Sequence, residues 1–298
     1  MGFAALLQAV AGLLPAPQPA LPPLRPREKA ALVVVSALPA PPGVAGVFLH
    51  PGESPQAAPP GALVFADQEG GLARAFPDLP PAAPASAYGT VAEALAAGRA
   101  TGRALRQVGV DVDLAPVLDL NSGPLGSRHF RRPALGLAFA RGLARAGTRA
   151  CVKHFPGLGS APVSTDASPR VHARVVLAEL AAFRAAIRAG VACVMTSHAL
   201  YGRLGGRASL RAASYRLLRR LGFRGVAITD SLDIAGSEYA VPWALLAARH
   251  GADLLLFTNG RDAARAIRAL VPLARSGALD DQVARVLALR HATGIGSP

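Results

Sequence analysis

Eight short apolar runs recur along the chain: 31–36, 43–49, 62–67, 110–116, 149–155, 190–198, 225–230 and 252–257. Each is rich in Val, Ile, Leu or Phe and too short for a buried helix, so each predicts a strand. Between most of them lie Ala/Leu/Arg stretches with helical periodicity, at 91–107, 136–147, 173–189, 209–221, 241–250 and 261–274. Strands that alternate with helices pair in parallel, because a parallel neighbour needs a crossover long enough to hold a helix. Eight repeats within about 230 residues predict an α/β fold, a single (β/α)8 barrel that is irregular over its first strands, where no helix separates the second and third runs. Proline-rich 39–42, 51–60 and 77–84 read as loops. A length of 298 residues suits one such domain. The expected division is a leader over 1–28 and the barrel over 29–298.

Residues 1–28 are apolar and then proline-rich. They have the length of a signal sequence but lack a basic start, which leans toward export to the cell envelope and keeps a cytoplasmic fate as the alternative. No later run is apolar and long enough to span a membrane. The net charge of +14 is carried almost wholly by arginine scattered through the predicted helices. It forms no block and accompanies no nucleic-acid-binding signature, so the reading is no nucleic-acid partner and at most a weak association with anionic cell wall. Two cysteines, Cys151 and Cys193, fall inside strand runs and are read as separate buried thiols. No Cys/His spacing for a metal and no phosphate-binding glycine loop is present, so the expectation is no cofactor and no metal.

In a β/α barrel, chemistry belongs at the carboxyl ends of the strands. Polar residues cluster there repeatedly: Asp67-Gln68-Glu69 after run three, Asp119 after run four, Lys153-His154 in run five, His198 ending run six and Asp230 ending run seven. Lysine occurs only twice, as Lys29 and Lys153, so its use beside a histidine at a strand end is selective. Carboxylates with cationic donors in a barrel mouth suit a polyhydroxylated substrate, and one carboxylate can attack an anomeric carbon.

The ordered segments "ADQEGG" (66–71), "VDLAPVLDLN" (112–121), "KHFPGLG" (153–159), "MTSHALY" (195–201) and "GFRGVAITDSLDIAG" (222–236) resemble the motif series of glycoside hydrolase family 3. The resemblance is to its single-barrel β-N-acetylglucosaminidases and to an actinobacterial "KHFPGLG" variant, and runs from about residue 29 to "ARVLALR" (284–290) near the end. It implies a retaining exo-β-N-acetylhexosaminidase that releases GlcNAc from peptidoglycan fragments or chitooligosaccharides. It implies Asp230 as nucleophile and Asp67, Arg128, Lys153 and His154 as sugar-binding residues, with His198 and Asp119 as weaker members. The family's further substrate-binding arginine falls at Ala75 here, with Arg74 one place early.

A second departure concerns the proton. Where the family places a second histidine after the Lys-His pair, this chain has Leu158. The loop that should carry an Asp-Ser-His acid/base has Asp166 and then Ser168. Three readings stay open: Asp166 as acid/base, with a pKa raised when the loop closes; His172, at a helix start; or no acid/base, with weak turnover. The rival functions are a β-glucosidase or glycoside phosphorylase of the same family and a catalytically reduced sugar-binding protein.

Overall fold

The computed structural model describes residues 21–120, 123–168 and 170–295. The greater part of the expected leader, residues 1–20, lies outside them. The order of elements is α1 (Pro26–Ala31), β1 (Val34–Ala37), β2 (Gly46–Leu49), β3 (Leu63–Ala66), α2 (Val91–Val108), β4 (Val112–Asp113), α3 (Pro133–Arg145), β5 (Arg149–Phe155), α4 (Leu177–Arg188), β6 (Cys193–Thr196), α5 (Ala212–Arg220), β7 (Val226–Thr229), α6 (Ser237–His250), β8 (Leu255–Phe257), α7 (Gly260–Arg275) and α8 (Asp280–Ala292). All eight expected strands are present. As the sequence indicates, no α-helix separates β2 from β3; one turn of 3-10 helix at Pro55–Ala57 stands there.

The strands form one parallel sheet in the order β7-β6-β5-β4-β3-β2-β1-β8. A parallel bridge between Ile228 and Leu254 brings the two ends together. The result is a nearly closed barrel. Strand alternation explains why almost every strand residue is buried. Val35, Cys151, Cys193, Met195, Val226, Ile228, Leu254 and Leu256 pack inward as one cluster. Their neighbours Val34, Val152, Val194, Ala227 and Leu255 pack outward with the helices as another. Val286 and Leu289 of α8 join the inward cluster and so close its floor.

Local chemistry sets the helix ends. Thr90 caps α2 by accepting from the Glu93 amide, while Glu93 reaches back to the Thr90 amide. Asn259 caps α7 through Asp262. Two expectations change at this level. Helix α4 begins at Leu177 rather than 173, and His172 lies in a two-residue strand, His172–Ala173, parallel to Leu200–Tyr201. Edge pairing of the loop with the segment after β6 takes the residues that the helical pattern had claimed. Cys151 and Cys193 are joined as a disulfide instead of standing as separate thiols. They are register partners on adjacent parallel strands and both face the lumen, with Cα atoms 4.3 Å apart.

Candidate active site

Strand alternation should send Lys153 and His154 to opposite faces. The β5–β6 ladder instead shifts register between Val152 and Phe155, where the pair sits, so simple alternation does not hold there. Both side chains are buried at the carboxyl end of the barrel. The Lys153 Nζ donates to Asp67 Oδ1 at 2.5 Å and contacts Glu69 Oε1 at 2.7 Å. Arg128 closes on the same Glu69 with two parallel bonds, Nε to Oε2 and Nη2 to Oε1, each 2.8 Å. This two-pronged geometry holds a carboxylate better than a single contact does.

The charges explain one another. Burial pushes the Glu69 carboxyl up, but the Lys153 and Arg128 cations outweigh it and hold it at about 2. Burial works against the Lys153 cation, yet Asp67 and Glu69 raise it above the usual lysine range. Beneath them, Asp113 is wholly buried and pushed well up by that burial, while its Oδ1 accepts from the Gln68 amide. Glu69 is therefore spent on holding two cations. Asp67, with its side chain 37% exposed, is the carboxylate of this cluster open to a ligand.

On the next strands, Asp119 organises His154. Its Oδ2 accepts from His154 Nδ1 at 2.8 Å, and its Oδ1 accepts from the Leu158 amide at 2.7 Å. That bond fixes the proton on Nδ1 and leaves Nε2 outside the pair. His198 differs. Burial lowers its pKa below the usual histidine value despite the Asp230 charge, so the ring is neutral. Its Nε2–H donates to the Ser231 carbonyl at 2.7 Å and its Nδ1 accepts from Ser209 Oγ at 2.5 Å. Both nitrogens are occupied, which makes His198 a strut beneath Asp230.

Asp230 stands at the end of β7, half-buried, and its Oδ1 accepts from the Ser231 amide at 2.9 Å. Burial pushes its carboxyl up, but His198, His154, the Ser231 amide and Lys153 together pull it below the usual aspartate value. It is a carboxylate, partly desolvated and within reach of the cations, which is what a nucleophile at an electron-poor carbon requires.

A cleft of ≈ 880 Å³ opens beside this cluster, lined by Asp67, Glu69, Arg74, Arg128 and Asp166, among others. That volume suits a small saccharide. Arg74 reaches it but spends its head on the Gly71 and Pro77 carbonyls. Asp166 enters from the loop after β5; its side chain is 63% exposed and stands 3.9 Å from Arg128 Nη1. His172 is exposed and is not among the lining residues. Thus Asp67, Arg74, Arg128 and Asp166 line one opening, Lys153 lies buried behind it on Asp67 and Glu69, His154, His198 and Asp230 form a second group whose charges reach one another and Lys153, and His172 stays apart.

Three residues that sequence reasoning did not single out complete the surroundings. The Trp243 ring of α6 lies edge-on to His198, the Arg207 guanidinium sits 4.5 Å from the centre of that ring, and Glu179 of α4 accepts from Leu120 and Gly159 amides. Trp is used once in the chain, which was the available signal for the first. The other two are an Arg among many and an acid within a helical run, and nothing in the pattern marked them. Among the described residues no group of three or more His, Cys, Asp or Glu is arranged to hold a metal ion, and no helix is long and apolar enough to cross a membrane.

Comparison with known proteins follows the same geometry. A family profile described as glycosyl hydrolase family 3 N terminal domain matches residues 53–289. A beta-hexosaminidase of Methylococcus capsulatus is 35% identical over 236 residues, which is 70% of this chain and 70% of that protein. The structure of a beta-N-acetylhexosaminidase from Beutenbergia cavernae superposes with a TM-score of 0.80 at 26% identity, over 90% of this chain and 99% of that one. A glycoside hydrolase family 3 beta-N-acetylglucosaminidase from Paenibacillus sp. superposes with a TM-score of 0.79 at 26% identity, over 92% of this chain and 64% of that one.

Proposed function

Since the chain belongs to glycosyl hydrolase family 3, we propose that it is a retaining exo-β-N-acetylhexosaminidase, releasing GlcNAc from peptidoglycan fragments or chitooligosaccharides. The observation that carries the reading is Asp230. Its carboxyl is half-buried at a strand end and held below the usual aspartate value against burial, with Lys153 and the Ser231 amide among the groups that favour its charge. It feels the charge of Lys153, which holds Asp67 of a cleft whose Asp67 and Arg128 suit ring hydroxyls. The similarity of the chain to proteins called beta-hexosaminidase and beta-N-acetylhexosaminidase supports an N-acetylated sugar as the substrate.

The reaction then runs in two displacements. An Asp230 carboxylate oxygen attacks C1, and the bond from C1 to the leaving oxygen breaks. An acid on the loop after β5 gives its proton to that oxygen. Water next attacks C1 and loses a proton to the same loop group. The bond to Asp230 breaks, the sugar leaves with its original anomeric configuration, and both carboxyls return to their starting states. Asp166 is the loop acid in this scheme, because it lines the cleft and His172 does not. Lys153 and His154 orient the ring through hydroxyls, and the charge of Lys153 also keeps Asp67 in place.

The test is release of nitrophenol from 4-nitrophenyl β-GlcNAc and from 4-nitrophenyl β-Glc, each with and without inorganic phosphate. The expected result is turnover of the GlcNAc glycoside in preference, independent of phosphate, and its loss in Asp230→Ala. Preference for the glucoside would favour a β-glucosidase, and dependence on phosphate a phosphorylase. No turnover of either sugar, with sugar binding intact, would reduce the protein to a binding module.

A further inference from the structure

The turn that launches the acid/base loop is held by two buried carboxylates on adjacent amides. Asp119 accepts from the Leu158 amide at 2.7 Å. Glu179 accepts from the next amide, Gly159, at 2.8 Å, and also from Leu120 at 3.1 Å, through a single oxygen, Oε1. Its second oxygen, Oε2, is buried and has no partner. Glu179 is 1% exposed, so bulk solvent does not reach it. Gly157 lies directly against it. A Cβ built on Gly157 would stand 2.5 Å from Glu179 Oε2, and its φ of +124° already excludes most side chains. On the far side, Tyr201 donates its hydroxyl to the Gly157 carbonyl at 2.8 Å. The first turn of the loop is therefore built around Glu179, which touches no part of the cleft lining.

We propose that Glu179 is a positioning residue for the acid/base loop, pinning its first turn to the rim after β4 as a carboxylate and loosening that hold when it takes a proton. The proposal rests on the glycosidase reading for its catalytic consequence only. A carboxylate accepts from an amide about twice as strongly as a neutral carbonyl does. One ionised oxygen that bridges Leu120 and Gly159 thus fixes the loop base to β4, and the neutral acid grips both amides more weakly. The groups facing it are Asp119, whose negative charge opposes its ionisation, and the Tyr201 phenol. Burial first, and Asp119 second, raise the Glu179 carboxyl to about 7 despite the two amides. The exchange of grip thus falls near neutral pH.

Two readouts on the full chain test this. In ¹⁵N-labelled protein, the Gly159 and Leu120 amide shifts should titrate together with a midpoint near 7, and Glu179→Gln should hold both flat at the neutral-form position. In kinetics on a GlcNAc disaccharide, whose leaving oxygen needs the loop acid, kcat/KM should fall about tenfold from pH 8 to pH 6, following the ionised fraction of such a group. That limb should vanish in Glu179→Gln, with a much smaller change for the 4-nitrophenyl glycoside. Amides that do not titrate in the wild type, or a limb that survives in Glu179→Gln, would overturn the proposal. Titrating amides in a protein that hydrolyses no glycoside would count against the glycosidase reading and leave the carboxyl grip itself supported.

Discussion

Lys153 shows how much a single residue type can disclose. A chain with 32 basic residues that uses lysine twice has placed one of them where two carboxylates, Asp67 and Glu69, close on a compact ammonium within 2.7 Å. Its place was legible, because Lys-His at a strand end followed by Pro-Gly points to a barrel rim, but its hold on two carboxylates was not. Nor was the proton donor. Leu158, in the place where the family resemblance implies a histidine, is buried with Val117, Val171, Ala199 and Tyr201. It packs the loop base down, a role no pattern of spacing reveals. Of the two candidates the sequence offers, the loop turns Asp166 and not His172 toward the cleft, which is why the proposed scheme gives the proton to Asp166. The corresponding prediction is that Asp166→Ala slows hydrolysis of glycosides with poor leaving groups by about 10²–10⁴-fold and activated aryl glycosides far less. His172→Ala should leave both nearly unchanged. A leaving-group series for the two variants checks it, and the reverse result would move the acid/base to His172.

At the scale of elements, hydrophobic period located the strands and most helices, because burial on both faces leaves a strand little choice but Val, Ile, Leu and Phe. It misjudged the start of α4, since a helical pattern cannot see that His172–Ala173 finds a strand to pair with. It also could not pair Cys151 with Cys193, which depends on the register of two strands 42 residues apart. Contact between α2 and α3 makes a sharper test of the fold. Gly98 lies so close to α3 that a Cβ there would stand 2.2 Å from the Phe139 carbonyl, and Gly142 on the facing helix meets Leu95 and Arg99 backbone in turn. Backbone cannot retreat as a flexible side chain can. Gly98→Ala should therefore cost about 1–3 kcal/mol or more by overpacking, read as a lower Cm in urea, while Ala97→Gly on the same helix should cost only about 1 kcal/mol through helix propensity.

Over the whole molecule, the barrel divides its two ends by task. At the floor, Asp253 is fully buried, accepts from Arg219 and Arg285 at 2.5 and 2.7 Å, and accepts from the Ala227 amide at 2.6 Å. It ties α5, α8 and β7 together far from the cleft lining. Asp253→Ala should destabilise the fold by about 3–5 kcal/mol, because two arginines lose their partner. In the fraction that remains folded, kcat/KM on 4-nitrophenyl β-GlcNAc should be unchanged, so that unfolding curves move and active-site-normalised kinetics do not. At the opposite rim, the account stands on one bond, the ester between a sugar C1 and the Asp230 carboxylate. The most direct measurement is to incubate the protein with a 5-fluoro-N-acetylglucosaminyl fluoride, which slows breakdown of such an ester, and to locate the adduct by peptide mass spectrometry. The account predicts one N-acetylhexosaminyl adduct, on Asp230, that disappears in Asp230→Ala. An adduct on another carboxylate, or turnover of the reagent with inversion and no adduct, would contradict it.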